Sequence, residues 1–235
     1  MSAFTLPLLE WLDIPAGQVT LTDHAGTFEV MPFQIAKYPV TNAQFDAFIQ
    51  DGGYKDEQWW AGLAQPGGAP RASDWRDPDC PKLEVCWYEA VAFGSWLAEQ
   101  TGLKVRLPTE WEWQWAAVGA SGWDYPYGSA FDPLQSNTKE SSIGRTTAVT
   151  DYARATSPFG AVDMSGNVWE WCLNEGIVLQ NCQLQGSENR ALRGGSWNNL
   201  QKYASATFRS HRTPRKRTFN IGFRLIIASD DTLPQ

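Results

Sequence analysis

Apolar and polar positions alternate along residues 11–40 and predict strands there. Trp11 to Ile14 reads as a strand closed by the turn Pro15-Ala16-Gly17. Gln18 to Leu21 alternates, and Phe28 to Tyr38 puts Phe33 and Ile35 on one face. After Pro39 the period lengthens to that of a helix. Thr41 is the expected N-cap, Gln44 completes a capping box, and Val40 and Phe45 stand where a hydrophobic staple closes. Phe45, Phe48 and Ile49 form the apolar face, and Gly52-Gly53 ends the helix. A second helix starts near Trp87 behind a half-made box, Cys86 with Glu89. It turns Ala90, Phe93 and Leu97 inward and stops at Gly102. Thr109 and Glu112 make a second full box, with Leu107 and Trp113 as its staple, for a third helix to about Val118. Residues 54–80 hold Trp59-Trp60, the Pro- and Gly-rich stretch Gln65 to Pro70, Trp75 and Pro78, and predict a loop packed by its own tryptophans. Residues 119–160 read as loops and short strands. Phe223 to Ile227, interrupted only by Arg224, reads as a buried strand.

Thirteen tryptophans and twenty glycines among 235 residues point to a loop-rich domain held by aromatic packing, not to a helical bundle. With no internal repeat and no linker, residues 1–235 form one domain. The N-terminus lacks the basic start and long apolar core of a secretory leader, and no apolar run is long enough for a membrane span, so the chain is expected to be cytoplasmic. Cys80, Cys86, Cys172 and Cys182 match no common zinc spacing and read as free thiols, Cys172 buried.

Charge singles out one stretch. The chain carries a net charge of -7, yet residues 189–229 contain no Asp or Glu. Lys202, Arg209, His211, Arg212, Arg215, Lys216 and Arg217 lie there, interleaved with Tyr203, Phe208 and Phe219. A basic, aromatic-dotted stretch in an acidic chain reads as a binding surface. For Arg193, Arg209 and Arg224 the competing reading is pairing with acidic groups elsewhere in the fold. The acidic balance disfavours nucleic acid as a partner of the whole surface. A second stretch, Gly160 to Trp171, brings together the oxygens of Asp163, Asn167 and Glu170 beside Gly166. It reads either as a site for a hard cation such as calcium or as a turn whose Asn and Glu bond the backbone.

Six stretches in order, TLPLLEW…PFQIAKYPVTNAQFDAFI, EVCWYEAVAFGSWL, VRLPTEWEWQWAA, GAVDMSGNVWEW, RALRGGSW and NIGFR, resemble the sulfatase-modifying-factor, or formylglycine-generating-enzyme-like, family over almost the whole chain. The resemblance implies a single α+β domain of C-type-lectin-like fold, loop-rich, with small sheets and flanking helices. It implies structural calcium near Asn167, the Val168 carbonyl and Glu170, with a second site around Asn137. Formylglycine-generating enzymes hold copper(I) on two cysteines after the GGS motif, where this chain has Asn199 and Ala204. A sulfoxide-forming branch holds iron on three histidines, and this chain has only His24 and His211. Ser196 lacks a nucleophile-elbow context. No catalytic residue is assigned, and a non-catalytic role is expected.

Between the framework residues Trp197, Asn198, Arg209, Pro214, Arg217 and Asn220 the chain departs from the family pattern, with Leu200, Lys202, Tyr203, Ser205, Thr207, Phe208, Ser210, His211, Thr218 and Phe219. This mixture is similar to the variable proteins of diversity-generating retroelements, in which a reverse transcriptase rewrites adenines in a C-terminal repeat. That resemblance implies that residues 193–224 form a variable, ligand-binding region. Trp197 and these side chains, with Arg212, Arg215 and Lys216, would bind a protein or other macromolecule, with anionic surfaces favoured. Tyr and Phe supply contact area at low entropy cost, and Ser and Thr supply adaptable hydrogen bonds. The alternatives are an oxidoreductase with an unrecognised metal site and a subunit with a fixed partner.

Overall fold

The computed structural model describes residues 9–63 and 69–229. The reading of the N-terminus, the first residues of the TLPLLEW stretch and part of Gln65 to Pro70 lie outside them. In chain order the elements are β1 (Trp11–Ile14), β2 (Gly17–Leu21), β3 (Gly26–Val30), β4 (Phe33–Ala36), α1 (Asn42–Gln50), α2 (Trp87–Thr101), β5 (Val105–Arg106), α3 (Glu110–Val118), β6 (Trp169–Glu175), β7 (Arg190–Arg193), β8 (Ser210–Arg212), β9 (Ile221–Gly222) and β10 (Ile226–Ala228). Short 3-10 turns occupy Glu57–Trp60, Lys139–Ser141 and Gln201–Tyr203.

The strands form three small sheets. One is antiparallel throughout in the order β1-β4-β10-β5, and β2 and β3 make a hairpin. The third runs β8-β7-β6-β9, with β9 parallel to β6 and the other pairs antiparallel. Helix α3 packs on the hairpin and on β6 and β7, and α2 packs on α1 and β5. No helix among the described residues is long and apolar enough to cross a membrane.

Local chemistry sets the helix starts. Thr41 and Gln44 exchange both bonds of a capping box, and so do Thr109 and Glu112. At α2 the Cys86 amide donates to Glu89 Oε2 at 2.7 Å, and Gly102 closes the helix in the left-handed region at φ 70°. The core is aromatic. Phe45, Phe93 and Phe223 pack with ring centroids 5.5–6.2 Å apart, and Phe28 stacks on Trp111 at 4.6 Å. Trp59 and Trp60 are buried, as expected of a loop packed by its own tryptophans, and Trp60 Nε1 donates to the Gly53 carbonyl. All four cysteines are buried free thiols, and burial pushes Cys86 and Cys182 up to about 12.

Three expectations need correcting. Phe28 to Tyr38 is two strands, broken at Met31-Pro32, where proline has no N–H for the ladder and Met31 is exposed. Residues 119–160 contain no strand, only turns and isolated bridges. Phe223 to Ile227 is not one strand. There the chain leaves β9 in one sheet and enters β10 in another. The Phe223 and Leu225 carbonyls accept from the Val40 and Ala36 amides, and Arg224 between them is fully buried on Glu170.

Candidate ligand-binding cleft

The stretch from Arg193 to Arg224 is fastened to the fold by its arginines. Arg209 makes a bidentate pair with Glu110 at 2.8 and 2.9 Å, and Arg193 Nε lies 3.7 Å from the same carboxylate. Arg217 Nη2 reaches Glu89 at 2.8 Å, and Arg224 holds both oxygens of Glu170 at 2.7 Å. Pairing is therefore the outcome for Arg193, Arg209 and Arg224. Glu110 and Glu89 stand in the first turns of α3 and α2, where the helix dipole also favours a negative charge. Arg193 further donates to the Ala206 and Phe208 carbonyls, so it sets the backbone path of the segment as well as pairing.

Gly194 and Gly195 sit at φ 91° and 70°. A Cβ on Gly195 would stand 2.7 Å from the Tyr203 carbonyl and 2.8 Å from Ala204 Cα, so only glycine lets the segment fold back this closely. Ala204 and Ala206 are fully buried.

Between these fastenings the segment walls a cleft of about 620 Å³. Tyr203, Phe208 and Phe219 supply its aromatic surface, and Ser210, Arg212, Lys216 and Thr218 supply polar groups. Trp169, Leu192 and Ile221 line it from β6, β7 and β9, and Asn199 and Asn220 complete it. Phe208 packs edge-on to Tyr203 with centroids 4.9 Å apart. Trp169 Nε1 donates to Asn199 Oδ1 at 2.8 Å.

The other expected ligand residues do not line this space. Trp197 stacks edge-on against Trp75 at 5.1 Å and contacts Phe219 at 5.7 Å, forming a ridge beside the cleft. Leu200 is exposed, and Lys202 lies over the Tyr203 ring at 4.8 Å. Ser205 and Thr207 bond each other at 3.0 Å within their turn. His211 is exposed and packs against Gly176, and Arg215 lies over the Tyr88 ring. Sequence reasoning missed Trp169, Leu192 and Ile221 as cleft residues. In the chain they look like ordinary strand residues and carry no local signal. Asn199 and Asn220 were legible only as a family-matched position and as framework.

The side chains read as calcium ligands have other partners. Both Glu170 oxygens are taken by Arg224, and Oε2 also accepts from Trp113 Nε1 at 2.6 Å. Asn167 Oδ1 accepts from Asn137 Nδ2 and from the Thr147 amide, and its Nδ2 donates to Asp163. Asn137 Nδ2 also bonds the Arg145 carbonyl, and its Oδ1 accepts from Ser141. Val168 is buried between them. The structure assigns the side-chain oxygens of Asn137, Asn167 and Glu170 to protein donors, so calcium there would have to displace Arg224 from Glu170 and the Asn137–Asn167 bond. Calcium at millimolar concentration is expected to leave the thermal midpoint unchanged, and a rise of several degrees would overturn that assignment. Asn199 and Ala204 offer no thiolate, and among the described residues no group of three His, Cys, Asp or Glu could hold a metal.

Asp163 in this turn has φ 61° and is buried; desolvation raises its pKa to about 7, against the opposing Asn167 hydrogen bond and the Arg224 charge. An unfolded aspartate titrates near about 3.9, so between there and pH 7 the folded state binds the extra proton and stability falls as pH rises. Asp163→Asn removes that loss and suits the positive φ. Its stability advantage over the wild type, measured by urea unfolding, is expected to grow from pH 4.5 to pH 7.5. An advantage independent of pH would refute the assignment.

Three small sheets with flanking helices and a loop-built cleft define the loop-rich α+β fold of formylglycine-generating-enzyme-like domains. The solved Treponema denticola variable protein 1 has this fold, with a TM-score of 0.71 at 21% identity over 95% of this chain and 97% of that one. The sulfatase-modifying factor enzyme 1-like domain matches residues 5–229, and the chain belongs to that family. It is 31% identical to the hercynine oxygenase of Mycolicibacterium thermoresistibile over 86% of this chain and 52% of the relative. It is 29% identical to a mouse protein named inactive C-alpha-formylglycine-generating enzyme 2, over 83% of this chain and 75% of the relative. The chain thus spans about half the length of the hercynine oxygenase, and the family holds proteins named as enzymes and as inactive.

Proposed function

We propose that the chain is a non-catalytic binding protein that displays residues 200–219 as a ligand face, with that segment diversified by a retroelement. One observation carries this reading: the segment holds two sets of residues with different roles. Ala204, Ala206, Arg209, Pro214 and Arg217 are buried or ion-paired and hold the backbone. Leu200, Lys202, Tyr203, Ser210, Arg212, Lys216 and Phe219 face solvent or the cleft and make no buried ion pair. A surface meant to change needs this division, because only the second set can vary without disturbing the fold. The variable protein of Treponema denticola supports the reading by its name and shared fold.

The test is the DNA flanking the coding region. A near-copy of the stretch encoding residues 193–224, differing almost only at adenines and close to a reverse-transcriptase gene, is the expected finding. No such copy within a few kilobases would overturn diversification. Kinship with a hercynine oxygenase favours a second reading, a metal-dependent oxidoreductase. Stoichiometric copper or iron in the purified protein would support that reading against ours.

A further inference from the structure

The cleft presents hydrogen-bond donors and no acid. Arg209, Arg217 and Arg224 are consumed by Glu110, Glu89 and Glu170, whereas Arg212 and Lys216 form no ion pair among the described residues. Arg212 Nη1 is turned back onto the His211 carbonyl at 2.7 Å, which holds the guanidinium in place at the cleft. Asn199 Oδ1 accepts from Trp169 Nε1 and from Ser196 Oγ, which fixes the amide and leaves Nδ2 as its free donor. No Asp or Glu lines the space. Two cations without ion pairs among the described residues, the Asn199 amide donor and the absence of any acid, all beside aromatic rings, match a carboxylate carried next to an apolar or aromatic group.

The aromatic surface continues beyond the cleft. Phe219, 44% exposed, belongs both to the cleft and to the ridge it makes with Trp197 and Trp75, so contact continues out of the cleft. The chain as a whole carries a net charge of -7, so attraction of an acidic partner must come from this basic face.

We infer that the cleft takes an acidic peptide segment of a protein partner, with a Glu or Asp against Arg212 and Lys216 and a neighbouring apolar side chain against Tyr203 and Phe219. The inference rests on the reading of the cleft as the ligand face, and the test separates the two. A random peptide library displayed on phage is selected on the immobilised full chain, and the binders are re-measured on three proteins. These are the wild type, Arg212→Ala with Lys216→Ala, and Tyr203→Ala with Phe219→Ala. Each variant is first checked by thermal unfolding.

Selected peptides are expected to be rich in Glu and Asp beside apolar residues. Either double variant should weaken them at least tenfold, and binding to the wild type should fall as salt is raised from 50 to 300 mM. Neutral or basic peptides that need Tyr203 and Phe219 would overturn the acidic ligand and leave the display reading standing. Peptides indifferent to both variants, or no peptides at all, would overturn both. A random 20-nucleotide single-stranded DNA that binds as tightly as the peptides and needs the same two cations would overturn the peptide class.

Discussion

Arg224→Ala is expected to lower the thermal midpoint by roughly 10 °C, more than any surface substitution in this chain. Arg224 and Glu170 are both fully buried. The guanidinium donates from Nε and Nη2 to the two carboxylate oxygens at 2.7 Å, and also to the Ala36, Lys37 and Val162 carbonyls. It therefore joins β4, the turn before β6 and β6 itself. Removing it leaves the Glu170 charge buried with Trp113 Nε1 as its remaining side-chain donor, and breaking one half of such a pair costs about 3–5 kcal/mol. Replacing both partners, Arg224→Met with Glu170→Leu, removes both charges together. It should cost less than Arg224→Ala alone, although Trp113 then loses its acceptor. Urea and thermal unfolding of the single and double variants decide the matter. A midpoint within two degrees of wild type for Arg224→Ala would show that the pair is dispensable.

Glu110→Ala should be comparably damaging, and clearly worse than Arg209→Ala, even though the two residues are partners. Glu110 is 1% exposed and serves Arg209, Arg193 and Asn174 at once. Without it Arg193, fully buried, keeps a positive charge with no carboxylate, and burial already lowers its pKa. A loss of about 3–5 kcal/mol follows from orphaning that charge. Removing Arg209 instead leaves Glu110 next to Arg193 and Asn174, and the Arg209 side chain is 15% exposed, so part of its hydration was never lost. That variant should cost about half as much. Equal losses for the two variants, read from urea midpoints at constant m-value, would contradict this ordering.

What was legible in the sequence was local. Both full capping boxes lie within four residues, and a hydroxyl three positions before a Glu or Gln needs no knowledge of the rest of the fold. The Gly102 stop and the inward Phe33 and Ile35 follow in the same way from single-residue conformation and a period of two. The ion pairs were legible only by half. Arg193, Arg209 and Arg224 declared themselves as candidates for pairing and Arg217 only as framework, but the partners of Arg209, Arg217 and Arg224, which are Glu110, Glu89 and Glu170, lie 99, 128 and 54 residues away along the chain, and nothing in the sequence ties them together. The cleft divides along the same line. Its walls from residues 203–219 were visible as an unusual composition, whereas Trp169, Leu192 and Ile221 face it only because β6, β7 and β9 pair. Glu170 shows the same limit: a carboxylate beside Asn and Gly resembles a cation ligand, and only the fold places a distant arginine on both its oxygens.

The four arginines that fasten residues 193–224 also divide that length into short closed stretches, each pinned at both ends to α2, α3 or β6. The entropy lost in closing a loop depends on the length between its fixed ends and hardly on which side chains it bears. Altering the side chains between the pins therefore leaves the conformational cost of folding almost untouched. Versions of this chain that differ widely on the face of the cleft would unfold at nearly the same temperature, and thermal stability would carry little information about what each version binds.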